Sequence, residues 1–184
     1  MELNLSGFEM FDPKKDKPTS LPDDPGNYIL VLKKDSKFPD TEPEIKTFEY
    51  DDGGIYGVVY TGISKKSIRG RYRQHFTGNN AGRSTLRKTL GSMMRMKKVP
   101  RDVKIPKTGR QNLLLTMKKL TDWMSKKLLL FYRPANVSEV EDEVEDVEDF
   151  EKQLIDRFTP PLNIQNNPDN IKYIDKIKEM RKCK

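Results

Sequence analysis

A chain of 184 residues can bury one ordinary hydrophobic core with room for arms at either end, but hardly two full domains. Hydrophobic and charged residues each make up 34 % and the formal net charge is +7; the apolar residues are grouped in periodic segments, which excludes general disorder and points to one basic globular domain. No apolar run approaches a membrane span, the N-terminus lacks the pattern of a secretory signal, and the single cysteine, Cys183, excludes a disulfide framework or a cysteine zinc cluster, so a soluble, cytoplasmic protein is expected.

Residues 1–24 are polar and proline-rich and read as an irregular arm, ending in the turn-like Leu21-Pro-Asp-Asp-Pro-Gly26. Asn27–Leu32 reads as a buried strand. Residues 33–52, charged and carrying Pro39 and Pro43, read as a long connection, and Ile55–Ile63, rich in β-branched and aromatic residues, as a second strand. Ser64–Phe76 predicts a helix with Ile68, Tyr72 and Phe76 on one face, weakened by roughly 1 kcal/mol at Gly70. A second helix is expected from Ser84 to about Met96, with Leu86, Leu90, Met93 and Met94 as its apolar stripe.

Residues 97–110 form a basic, proline-punctuated stretch suited to a solvated loop or to an arm on a phosphate backbone. Leu113–Leu115 is open between a short strand and a helix start, Thr121 is placed to cap a short helix through Trp123, and Lys127–Arg133 reads as a third strand. Ser138–Phe158 predicts an acidic helix opened by Ser138 with Glu141 three places on, a capping-box pattern, and stopped by Pro160-Pro161. Nine acidic residues and no basic one lie between Ser138 and Glu151, so the rest of the chain sets 19 acids against 35 Lys and Arg, about +16. A surface that basic attracts polyanions, of which nucleic acid is the commonest. A last basic helix, about Asp169–Lys182, places Ile171, Ile174, Ile177 and Met180 on one side.

Three polar residues break the apolar faces. On a hundred-degree helical step Glu151 falls among Val140, Val144, Val147, Leu154, Ile155 and Phe158, whereas most neighbouring acids fall on other faces. A carboxylate there needs a compensating cation, hydrogen-bond network or metal. Arg71 and His75, four residues apart, flank the stripe of the first helix and face inward together; His75 is the only histidine. Arginine can donate two bonds to a phosphate, histidine can transfer a proton near neutral pH, and a carboxylate can hold a divalent metal, the parts that phosphodiester cleavage requires.

Gly26-Asn27-Tyr28, Tyr60-Thr61-Gly62, Arg71 with His75, Glu151, and Asn163 in Pro160-Pro-Leu-Asn163 together resemble the ordered motif set of the GIY-YIG nucleases, over roughly residues 21–164. Asn27 and Thr61 stand where that family usually has isoleucine. Gly54-Ile55-Tyr56 spells the first motif literally, but it lies four residues before Tyr60, about 13 Å along a single strand, with no room for a turn between paired strands; Tyr28 is therefore the expected first-motif tyrosine.

The resemblance implies an α/β (α+β) fold with a small three-stranded, mainly antiparallel sheet flanked by helices, occupying residues 21–166 between an N-terminal arm (1–20) and a basic C-terminal helix (167–184). It implies a DNA endonuclease of restriction, mobile-element or repair type, with Glu151 binding Mg²⁺ or Mn²⁺, Arg71 neutralising charge on the phosphate, Tyr28 orienting or deprotonating the attacking water, His75 accepting that proton or assisting at the other oxygen, Tyr60 bonding the phosphate or its water, and Asn163 holding the site together. DNA is the expected partner and no membrane is; target choice is left to loops, a second copy of the chain or a partner protein. A DNA-binding module that has lost cleavage, or an interaction protein docking through its acidic helix and basic tail, are the alternatives, the latter leaving the inward Arg71, His75 and Glu151 unexplained.

Overall fold

A computed structural model describes residues 5–77, 84–96, 107–135, 147–167 and 171–182, with the side chains of 107–115 excepted. Among these residues five strands and five α-helices follow in the order β1 (Glu9–Phe11), β2 (Gly26–Leu32), β3 (Thr47–Glu49), β4 (Ile55–Ser64), α1 (Ile68–Phe76), α2 (Thr85–Met93), α3 (Lys107–Lys127), β5 (Leu128–Pro134), α4 (Val147–Phe158) and α5 (Ile171–Arg181), with one 3-10 turn at Pro18–Ser20. The strands form one antiparallel sheet in the order β1-β5-β2-β4-β3. The three strands expected from the sequence are its centre. The sheet has five strands, not three, because two triplets, Glu9-Met-Phe11 in the arm and Thr47-Phe-Glu49 in the long connection, pair with β5 and β4 and satisfy backbone groups that would otherwise face solvent at the edges. Three residues are too few to show an alternation along the chain.

Alternation does show in the long strands. Along β2, Tyr28 and Leu30 enter one core with α1, α2, α3 and α5, whereas Ile29 and Val31 enter a second, formed on the opposite face with Phe150, Leu154 and Phe158 of α4. A bulge on β4 sets Tyr60 opposite Leu30 and Val58 opposite Val31, so that Val59 and Tyr60 both face the first core.

Helix boundaries follow capping. The turn Ser64–Ser67 is not helical: Ser64 still pairs with Gly26, its hydroxyl accepts the Ser67 N–H, and Ser67 accepts the Gly70 N–H at 2.8 Å as the N-cap of α1. The segment read as a short strand or helix start, Leu113–Leu115, lies inside the 21-residue α3, and residues 107–110 of the basic stretch belong to that helix rather than to a loop. The expected start of the acidic helix, residues 138–146 with the Ser138–Glu141 cap, lies outside the described residues, as do 97–106. In α5 the inward face is Tyr173, Ile174 and Ile177, while Ile171 at the helix start is exposed. Lys176 of α5 binds Asp40 at 2.9 Å and also Glu42, and the Tyr173 hydroxyl reaches Asp40, so the long β2–β3 connection is fastened to the C-terminal helix.

Beyond the short β3, the outer edge of β4 is closed by the segment after α4. The Leu162 N–H donates to the Val59 carbonyl at 3.0 Å; Asn163 accepts the Thr61 N–H through Oδ1 (2.9 Å) and donates Nδ2 to the Thr61 carbonyl (3.0 Å), its side-chain amide standing in for a strand. Asn163→Ala leaves both buried Thr61 groups unpaired, and chemical denaturation is expected to register a loss of about 2–5 kcal/mol.

Candidate active site

The sheet centre and α1 bring the expected residues together. Tyr28 of β2, Tyr60 of β4 and His75 of α1 form an aromatic cluster with ring centroids 5.6–6.1 Å apart. Tyr28 and His75 are 2 % and 1 % exposed. Tyr28 Oη and His75 Nε2 share a hydrogen bond of 2.7 Å, and Arg71 Nε donates to the same tyrosine oxygen at 3.2 Å. Arg71 also acts electrostatically on Tyr60. Glu151, half-buried on α4, acts electrostatically on Tyr28, Tyr60 and Arg71. Asn163, at the edge of the same sheet, bonds to backbone, as described above.

Glycines make this approach feasible. Tyr28 pairs with Gly62, and a Cβ on Gly62 would stand 2.4 Å from the Tyr28 oxygen. A Cβ on Gly26 would stand 2.3 Å from the Arg133 carbonyl, so β5 can close on β2 there only against glycine. Tyr56 of the literal Gly-Ile-Tyr is elsewhere: its hydroxyl donates to Asp52 at 3.0 Å and its ring packs on Phe131, in the second core.

Burial sets the protonation states. It pushes the Tyr28 hydroxyl well above the ordinary tyrosine value, with Tyr60 adding to the rise and Arg71 opposing it, so the resting group is a phenol. Burial raises Tyr60 as well, again against Arg71. His75 is pushed down to about 3 by burial, then by the charges of Arg71 and Arg87, and its imidazole is neutral throughout the physiological range. Glu151 is raised above the usual carboxyl value by burial and lowered by Arg71.

Asn27, noted in the sequence only as a departure from isoleucine, and Ser84 and Arg87, which have no site role there, support this cluster. Asn27 Nδ2 donates to the Val147 carbonyl at 2.8 Å, tying β2 to the first turn of the helix that carries Glu151; its departure from isoleucine thus has a structural use. Ser84 Oγ lies 2.8 Å from His75 Nδ1. Arg87, fully buried, donates Nη1 to the His75 carbonyl (2.7 Å) and to Thr121 (3.0 Å), and Nη2 to the Met117 carbonyl (3.2 Å), joining the end of α1 to α3 with no carboxylate partner among the described residues. A signal for Arg87 was present: it sits beside Leu86 and Leu90 in an apolar stripe, the pattern that marks Glu151.

The chain matches the family model of the GIY-YIG catalytic domain over residues 26–183. It therefore belongs to the GIY-YIG family, a family of nuclease-type catalytic domains. Neither a curated protein nor a solved structure matches it significantly. Among the described residues no helix is long and apolar enough to cross a membrane.

Two outcomes follow from this geometry. Gly62→Ala must displace the Tyr28 ring, and loss of any nuclease activity with the fold retained by circular dichroism is expected. Because the folded-state pKa of His75 is depressed from about 6.5 to about 3, the unfolded chain binds the extra proton between those values; its contribution to stability is present above about pH 6.5 and lost as pH falls through that window. Denaturant titrations should show this slope in the wild type and its reduction in His75→Gln.

Proposed function

We propose that this protein is a divalent-metal-dependent DNA endonuclease, hydrolysing phosphodiester bonds at the Tyr28–Tyr60–Arg71–His75–Glu151 cluster. The observation that carries the reading is the convergence, from β2, β4, α1 and α4, of one guanidinium, two phenols, a neutral imidazole and a partly desolvated carboxylate. No described residue gives Glu151 an ion pair or a hydrogen bond, so its oxygens are available to a ligand. Among the described residues no three His, Cys, Asp or Glu side chains come together. One carboxylate, completed by waters and substrate phosphate, suits Mg²⁺ or Mn²⁺, which keep much of their hydration, better than it suits a cation needing an all-protein cage. The metal would supply Lewis-acid polarisation of the phosphodiester.

The protein's own groups perform the rest. Arg71, held against Tyr28 and Gln74, presents its charge to the non-bridging phosphate oxygens and stabilises the charge that develops there. Tyr28 orients the attacking water, and Tyr60 holds the phosphate or that water from the neighbouring strand. Asn163 contributes by fixing the edge of β4 from which Tyr60 projects. Exposed Lys66 on the β4–α1 turn and Arg73 on α1 extend positive charge away from the cluster, in keeping with a polyanionic substrate. Choice of target falls to such surfaces, to a second copy, or to a partner protein, and a restriction, mobile-element or repair role would be distinguished by mapping cleavage ends on intact, branched and damaged duplexes.

Supercoiled plasmid incubated with Mg²⁺ or Mn²⁺ should be nicked or linearised by the wild type and left intact with EDTA or with Glu151→Ala. Arg71→Ala is expected to lose about 10²–10³-fold in rate. Tyr28→Phe should abolish cleavage and Tyr56→Phe leave it unchanged; the opposite result would transfer the first motif to Tyr56. Intact plasmid under every metal, with DNA binding retained, would favour an inactive DNA-binding module.

A further inference from the structure

The neutral imidazole of His75 has one N–H and one lone pair, and the two ring nitrogens face different partners: Nδ1 faces Ser84 Oγ and Nε2 faces Tyr28 Oη. Which nitrogen holds the hydrogen decides whether His75 takes a proton from Tyr28 or gives Tyr28 a hydrogen bond. The count of donors at Ser84 decides it. Ser84 is fully buried and is the N-cap of α2, its oxygen accepting the Arg87 backbone N–H at 3.1 Å. Its own hydroxyl hydrogen has one acceptor among the described residues, the Nδ1 lone pair.

We propose that Ser84 is a positioning residue that donates to His75 Nδ1, fixes the Nε2–H form of the imidazole, and so makes His75 a hydrogen-bond donor to the Tyr28 oxygen. The Tyr28 oxygen then receives two donors, Arg71 Nε–H and His75 Nε2–H, and its own hydrogen is left for the Tyr60 side of the cluster, where the two rings lie 6.1 Å apart. Donation then runs in one direction, from Ser84 to His75 to Tyr28. The reverse orientation leaves the buried Ser84 hydrogen without a described acceptor, and buried polar groups are rarely left so.

Two donors on one phenol oxygen favour its ionised form, opposing the burial that holds it neutral. His75 thus aids Tyr28 by donation rather than by accepting its proton. Arg87 supports the same arrangement from the other side: its backbone N–H orients the Ser84 oxygen, and its guanidinium holds the His75 carbonyl. Among the described residues, the charged and titratable groups facing the ring, Arg71 from α1, Arg87 from α2, Tyr28 from β2 and Tyr60 from β4, include no acid that would favour an imidazolium.

The assignment of the hydrogen stands on geometry alone, whereas its catalytic consequence rests on the nuclease reading, and the test separates them. His75 is the only histidine, so ¹⁵N-histidine labelling of the full-length protein gives a single imidazole spectrum. Long-range ¹H–¹⁵N correlations are expected to show a protonated, pyrrole-type Nε2 and a hydrogen-bonded, pyridine-type Nδ1, unchanged from pH 5 to pH 8. A protonated Nδ1, or a mixture of the two forms, overturns the proposal whether or not the protein cleaves DNA. Ser84→Ala should shift the Nδ1 resonance and lower kcat about 10–100-fold at unchanged KM, with Ser84→Thr restoring both. An unmoved Nδ1 resonance in Ser84→Ala would overturn the assignment; a moved resonance with wild-type kcat would overturn the catalytic consequence.

Discussion

A hydrogen bond of 2.7 Å between Tyr28 and His75 joins the central strand to the first helix among buried side chains, and much of the architecture serves to make it. A phenol and an imidazole are costly to bury unless each polar atom finds a partner. Gly62 lets the Tyr28 ring lie flat across β4, Ser84 takes the far side of the imidazole, and Arg71 completes the tyrosine oxygen. Removing any of these exposes a polar atom to an apolar core rather than to solvent, which is why the site and the fold share the same determinants.

The sheet supplies this point with rigidity from both sides. β2 lies between β4 and β5, and its two faces carry separate cores, so neither Tyr28 nor the strand that bears it can shift alone. The edges are closed by short strands and by the Asn163 amide, which pairs with Thr61 as a backbone would. Across the sheet, α4 carries Glu151 to the rim of the cluster; Asn27 and the cation–π contact of Arg133 with Phe150, at 4.7 Å, hold that helix in place. The consequence is a division of labour in which aromatic and basic groups are set inside and the carboxylate is set at the boundary, where it retains access to solvent.

Much of this was legible in the chain. The long strands have two-residue alternation or continuous β-branched and aromatic runs, the helices have their apolar stripes, and polar residues inside such stripes marked Glu151, Arg71 and His75. Spacing along a single strand was enough to place Tyr56 on the strand of Tyr60 and Tyr28 on another, because four residues of strand cannot also contain a turn. The same logic applied to α2 would have marked Arg87. Ser84 reads in the sequence only as the start of the second helix, and it is that helix's N-cap; that its hydroxyl also faces His75 depends on how α1 and α2 are folded back on each other.

By itself, then, the sequence determined the period of each long element, the residues too polar for the faces they occupy, and the ordered set of groups that places the chain in its family, because these depend on local geometry and on chemistry carried by single side chains. Tertiary structure alone decided the two outer strands, the helical state of α3, the pairing of Asn163 with Thr61 and the partners of His75. Their reason is common to all: a three-residue strand, a basic stretch or a capping serine has no local preference strong enough to declare its state, and takes its meaning from backbone and polar groups that only the folded chain brings within 3 Å.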